Sequence, residues 1–183
     1  MDKPARSASS SRTQLVLIVV IALASVGGAY VLFLLAGEGG LWGTSNKGAF
    51  VDPPVTVADL GLRRRGGEAF EPGRTWWLWV VPQGECGDAC RNALHQLRQL
   101  HVLLNRDSAR VRRALVTEPA DAEAALVEHY PRLELLSGNL AALDRGIYVV
   151  DPLGNLVFHY ALEDAGGPVL DDLKRLLKVS QIG

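Results

Sequence analysis

The chain has 183 residues, and its 19 Lys and Arg nearly balance 20 Asp and Glu, leaving a formal net charge of −1. That balance excludes the basic footprint of a nucleic-acid-binding protein, and two cysteines exclude a disulfide-rich scaffold or a four-thiolate zinc site. A mean hydropathy of +0.12 beside 21% charged residues means that apolar residues are concentrated in one place.

That place is Leu15–Ala36, which carries no charge. At a rise of about 1.5 Å per residue a helix of this length covers about 33 Å, enough for a hydrocarbon core of about 30 Å. The run is too long for the apolar region of a cleaved signal peptide, so it predicts a retained transmembrane helix. Residues 1–14 precede it with Lys3, Arg6 and Arg12 against Asp2, whereas no base follows it until Lys47. The positive-inside rule then leaves residues 1–14 in the cytoplasm and sends the rest across; in a bacterium this means the inner membrane and the periplasm. Residues 37–50 are rich in Gly, Ser and Thr and read as a tether, with Trp42 either at headgroup depth or packed on the domain. Residues 51–183 form the exported domain.

In that domain Val51–Val57 reads as extended because Pro53 and Pro54 restrict their predecessors, and Arg63–Gly67 as a turn. Trp76–Val81 is apolar and aromatic throughout, the pattern of a strand covered on both faces; Trp76, Trp77 and Trp79 read most simply as core, with the side chain facing the edge available for a partner. The period then changes. Cys90, Ala93, Leu94, Leu97, Leu100, His101 and Leu104 make one helical stripe over Asp88–Asn105. A second strand at Val111–Thr117, a helix at Asp121–His129, a third strand at Ile147–Val150, a turn at Asp151–Asn155, a fourth strand at Leu156–Tyr160 and a closing helix from Gly166 follow. Parallel β-α-β, then an antiparallel hairpin and a last helix, is the thioredoxin order. The expected class is therefore α/β, a thioredoxin-like domain behind a single N-terminal transmembrane helix.

Cys86 and Cys90 lie between the first central strand and its helix. At the helix N-terminus, unpaired backbone N–H groups and the positive dipole end favour a thiolate at Cys86, the expected nucleophile. Cys90, one helical turn on and on the apolar stripe, is the expected buried resolving partner. The other reading is a small structural disulfide, although closing so short a ring stabilises by only about 2 kcal/mol.

The C-x-x-x-C spacing of Cys86 and Cys90 after a strand, in an anchored exported domain carrying IYVVDPLGNLV at residues 147–157, resembles the Sco family of copper chaperones. It is closer still to the small thioredoxin-like membrane proteins found among proteobacterial cytochrome c oxidase assembly factors. The resemblance covers about Val51 to Lys178. It implies thiol–disulfide exchange or Cu(I) binding through Cys86 and Cys90, and as partner a copper-binding oxidase subunit or another copper chaperone. The chain would then be a thiol–disulfide oxidoreductase or a stoichiometric carrier.

In Sco proteins a histidine from the loop before the third strand joins the two thiolates on copper. Here that loop, Asn139–Gly146, has no histidine, and no proline precedes Ile147 where ordinary thioredoxins keep one. His95 falls about 140° round the helix from Cys90 and His101 about 16 Å along it; His129 ends a helix and His159 alternates with Phe158 and Tyr160. Two thiolates alone remain a sensible soft donor pair for Cu(I). A non-catalytic assembly scaffold is the reading from another class.

Overall fold

The computed structural model of the chain describes residues 8–37, 45–118 and 124–180, which fall into two compact units divided after Ser45. Residues 1–7, the stretch with Trp42, and Asp121–Glu123 at the start of the expected second helix lie outside the described residues.

The first unit is one helix, α1 (Ala8–Gly37), within which Arg12–Leu35 is long and apolar enough to cross a membrane. Residues 12–35 are exposed all round, the pattern of a helix meant for an apolar solvent rather than for a protein core. Its hydroxyls need internal acceptors there, and Ser25 Oγ donates to the Ile21 carbonyl at 2.7 Å.

The second unit is a seven-stranded mixed sheet. Its elements are β1 (Ala49–Phe50), α2 (Val57–Leu60), β2 (Arg63–Arg64), β3 (Trp76–Val81), α3 (Asp88–Leu103), β4 (Val111–Val116), α4 (Ala124–His129), β5 (Leu133–Ser137), β6 (Gly146–Val150), β7 (Leu156–Tyr160) and α5 (Gly167–Val179). The strand order is β1-β7-β6-β3-β4-β5-β2. β3, β4 and β5 run parallel, and β6 returns antiparallel to β3 in the register Val81↔Gly146 through Trp77↔Val150. The thioredoxin-like order is thus present, with three strands that the sequence reading did not contain.

β3 sorts the core. Trp76, Leu78 and Val80 face a cluster built with Cys90, Leu94 and Leu97 of α3 and Val169, Leu173 and Leu177 of α5. Trp77, Trp79 and Val81 face the opposite cluster, closed by Leu60, Leu62, Phe70, Leu136 and Tyr148. Phe70 meets Trp77 and Trp79 edge-on at 4.9 and 5.9 Å, and Trp77 Nε1 donates to the Pro72 carbonyl at 2.8 Å. All three tryptophans of β3 are buried, as the core reading expects, and none is left at an edge for a partner, because a layer made by residues 55–70 covers the second face.

The last residues of the expected tether also belong to the sheet. Ala49 and Phe50 pair with His159 and Phe158, and Gly48 is buried against the Tyr160 ring. The Asp172 carboxylate fixes this lead-in: Oδ2 accepts the Lys47 N–H at 2.6 Å, the Gly48 N–H at 2.9 Å and the Tyr160 hydroxyl at 2.9 Å. Burial first, and then the bond and charge of Asp172, push the Tyr160 hydroxyl far above the ordinary tyrosine range, so it stays a donor. The compact unit therefore begins at Asn46, ahead of the Val51 expected from composition.

Candidate functional site

β3 ends at Val81, and Pro82–Gly87 lead into α3. Gln83 (φ 53°) and Gly84 (φ 113°) take left-handed backbone in this turn, which swings the chain back under the helix. Cys86 precedes the helix by two residues, and the Arg91 N–H bonds the Gly87 carbonyl at 3.0 Å to close the first turn. Cys86 and Cys90 are joined in a disulfide with Cα atoms 5.2 Å apart.

Each cysteine is only 2% exposed and both belong to the α3–α5 core cluster. The sequence reading expected Cys86 as the nucleophile and Cys90 as the buried resolving partner; in the bonded form both are equally buried. Cys86 lies ahead of the helix and is buried beside Cys90 in the same cluster. On reduction the N-terminal N–H groups of α3 would stabilise a thiolate at Cys86, while the exposed carboxylates of Glu85 and Asp88 work against it and are screened by salt.

Sequence reasoning missed Gln83. Its Nε2 donates to the Leu143 carbonyl at 2.8 Å, tying the cysteine turn to the Asn139–Gly146 loop. That loop is itself fixed: Leu143 is buried, the Asp144 N–H donates to Tyr148 Oη at 2.8 Å, and the Tyr148 hydroxyl donates back to the Asp144 carbonyl at 3.1 Å. A glutamine between Pro82 and Gly84, where a side chain must leave a left-handed turn, was the available signal.

The four histidines lie elsewhere. His95 is exposed and shares a hydrogen bond with Gln99 at 2.9 Å, and His129 closes α4. His159 packs against Tyr148, the rings tilted at 40° with centroids 4.7 Å apart, on the sheet face away from the disulfide, and contacts the Arg145 carbonyl at 3.2 Å. It packs directly over Gly146, where a Cβ would meet both its Nε2 and the Tyr160 carbonyl. Gly146→Ala is accordingly expected to destabilise the protein by about 2–3 kcal/mol, read as a lower Tm, because the obstructing oxygen belongs to the paired backbone.

His101 lies at the C-terminal turn of α3. Burial first, and then Arg113 and Arg132, hold its pKa below the ordinary 6.5. The unfolded chain thus takes up its proton first as pH falls. Stability from this residue is whole above about pH 6.5 and declines as pH drops below it toward the depressed folded value. His101→Gln is expected to flatten that acid limb in Tm against pH, and an unchanged slope would contradict the assignment.

Among the described residues no three His, Cys, Asp or Glu side chains are grouped to hold a metal. The donor set at the turn is two sulfurs held as a disulfide; once reduced to thiolates they would suit a two-coordinate Cu(I) and would not fit the three-ligand arrangement.

A family model for the "Transmembrane-like, thioredoxin-like, C-terminal domain" matches residues 76–180. No curated protein matches the chain. Three solved structures share its fold. Apo Sco1 of Thermus thermophilus is 18% identical, over 75% of this chain and 99% of that one, at a TM-score of 0.56. Yeast Sco1 is 16% identical, over 66% and 93%, at 0.54. Arabidopsis thaliana ScoI, solved with copper bound, is 14% identical, over 68% and 99%, at 0.51. At these identities the likeness is one of fold.

Proposed function

The chain belongs to the family of transmembrane-like, thioredoxin-like C-terminal domains, and from that premise we propose that it is a membrane-anchored, Sco-like factor in cytochrome c oxidase assembly that works by thiol–disulfide exchange through Cys86 and Cys90. The observation that carries the reading is the bonded pair at the β3–α3 turn of a Sco-type fold. The arrangement proposed places residues 1–14 in the bacterial cytoplasm, residues 15–36 across the inner membrane, and the domain, reached through the stretch that starts at residue 37, in the periplasm. Oxidase assembly rests on the resemblance to the Sco family.

In the forward step the reduced Cys86 thiolate attacks one sulfur of a client disulfide, forming a mixed disulfide and expelling a client thiolate. The Cys90 thiolate then attacks Cys86 Sγ, releasing the second client thiolate and leaving the Cys86–Cys90 bond. The client gains two electrons and takes up two protons; another dithiol must return both to this chain. A copper-binding oxidase subunit, whose ligand cysteines must be reduced to receive the metal, is a fitting client.

A second reading treats Cu(I) as cargo on the two thiolates and is favoured by the copper-bound relative of the same fold. Anaerobic Cu(I) titration of the reduced full chain separates the two: one equivalent lost in either Cys86→Ser or Cys90→Ser supports cargo, and no saturable uptake leaves exchange alone. For the assembly role itself, cells carrying Cys86→Ser in place of the wild type are expected to lose oxidase activity and oxidase copper. Unchanged activity and copper content would sink it.

A further inference from the structure

At the end of the sheet where β4 and β5 begin, a cavity of about 390 Å³ is lined by His101, Ser108, Arg112, Arg113, Arg132 and Glu134, among other residues. It lies away from the cysteine turn, which sits at the opposite, C-terminal end of β3.

Its unusual member is Arg113. The residue is 6% exposed and lies in the interior of β4, yet among the described residues its guanidinium makes a single hydrogen bond, from Nη2 to the Pro131 carbonyl at 3.0 Å. A guanidinium has five N–H donors, and a buried positive charge is costly unless an anion faces it. No carboxylate among the described residues pairs with it. The one acid of the cavity, Glu134, is already engaged by Arg64 at 3.1 Å and Arg112 at 3.4 Å.

The other neighbours add positive charge. Burial first, and then the charges of Arg98 and Arg132, lower the pKa of Arg113; burial and then Arg113 and Arg132 do the same to His101. His101 Nδ1 is buried with no hydrogen-bond partner. Arg132 is held at φ 65°, a left-handed conformation that is unfavourable for an arginine. Arg113 and His101 thus keep unfilled bonds in one cavity, the exposed Arg132 adds positive charge at its rim, and among the described residues no anion is left to face them.

We propose that this cavity binds a phosphate-class oxyanion, held by the buried Arg113 guanidinium with Arg132 at the rim and His101 as a further donor. A tetrahedral phosphate accepts from several directions at once and carries enough charge to neutralise two guanidiniums, which a single carboxylate does not. Free phosphate and a phospholipid headgroup offer the same chemistry.

The test uses the full chain in a non-ionic detergent with chloride buffer. Tm is followed as inorganic phosphate is added, with sodium chloride and sodium acetate at equal ionic strength alongside. The expected result is a saturable rise in Tm with phosphate alone. Arg132→Ala, an exposed residue, is expected to keep its Tm in chloride and to weaken phosphate binding about tenfold. Arg113→Met is expected to abolish the response while unfolding in chloride at the wild-type temperature or above, since the unpaired charge is gone. Monomeric dihexanoyl phosphatidylglycerol provides the second arm. Competition with inorganic phosphate supports a lipid headgroup, and phosphate binding without competition supports the free ion. The proposal is overturned if phosphate does no more than chloride, if acetate matches it, or if Arg132→Ala and Arg113→Met respond as the wild type does.

Discussion

A Cys90→Ser chain is expected to accumulate in a mixed disulfide through Cys86, and a Cys86→Ser chain in none. The asymmetry follows from where the two sulfurs sit. Cys86 stands two residues ahead of α3, where the helix's N-terminal N–H groups would stabilise a thiolate once the bond is reduced, and Cys90 lies on the helical stripe packed with Ala93, Leu94 and Leu97. Removing the second thiol removes the group that resolves the intermediate, so the client stays attached and is visible on a non-reducing gel. Removing the first removes the attack altogether, with exchange falling to background. Equal trapping by the two variants would reverse the roles or assign them to neither residue.

Asp172→Ala is expected to cost about 3 kcal/mol and to free the lead-in strand. The carboxylate is 2% exposed and one oxygen serves three donors. Its removal leaves the Lys47 and Gly48 N–H groups and the Tyr160 hydroxyl without their acceptor in a protein interior, at about 1–3 kcal/mol for each group that water cannot reach. Asp172→Asn retains an acceptor oxygen and is expected to cost less than half as much. Two readings check this: Tm, and tryptic cleavage after Lys47, which should speed up in Asp172→Ala as β1 leaves β7. An unchanged Tm and an unchanged cleavage rate would mean that the strap does not hold this end of the sheet.

How much of this was legible in the sequence depended on whether a segment's burial is decided locally. β3 is apolar at every position because both its faces are covered, and α3 shows its buried side as a stripe, so both declared themselves. The β6–β7 hairpin did so as well, since Asp151 Oδ1 accepts the N–H groups of Leu153 and Asn155, each at 2.8 Å, within the turn itself. β5 did not. Pro131 and Arg132 stand before it, and Glu134 interrupts the apolar run because it answers Arg64 and Arg112 on other strands. Nor did β1 and β2, whose two residues each form strands only by pairing with β7 and β5.

The site divided in the same way. The cysteine pair and its place before a helix were readable, whereas the burial of Cys86, which lies ahead of the helical stripe, depends on the core cluster around it. The role of Gln83 depends on the Leu143 carbonyl, 60 residues away. Asp171 and Asp172 are adjacent acids in α5, and only the packing of Tyr160 and Gly48 makes Asp172 an interior anchor.

The reduction potential of the Cys86–Cys90 pair tests the central claim most directly. The full chain in detergent is equilibrated through a graded series of dithiol buffers, and its oxidised fraction is counted by the mass added on thiol alkylation. A pair that exchanges electrons with a client is expected to titrate above about −300 mV, within reach of other biological dithiols, and a value well below that would make it an inert staple.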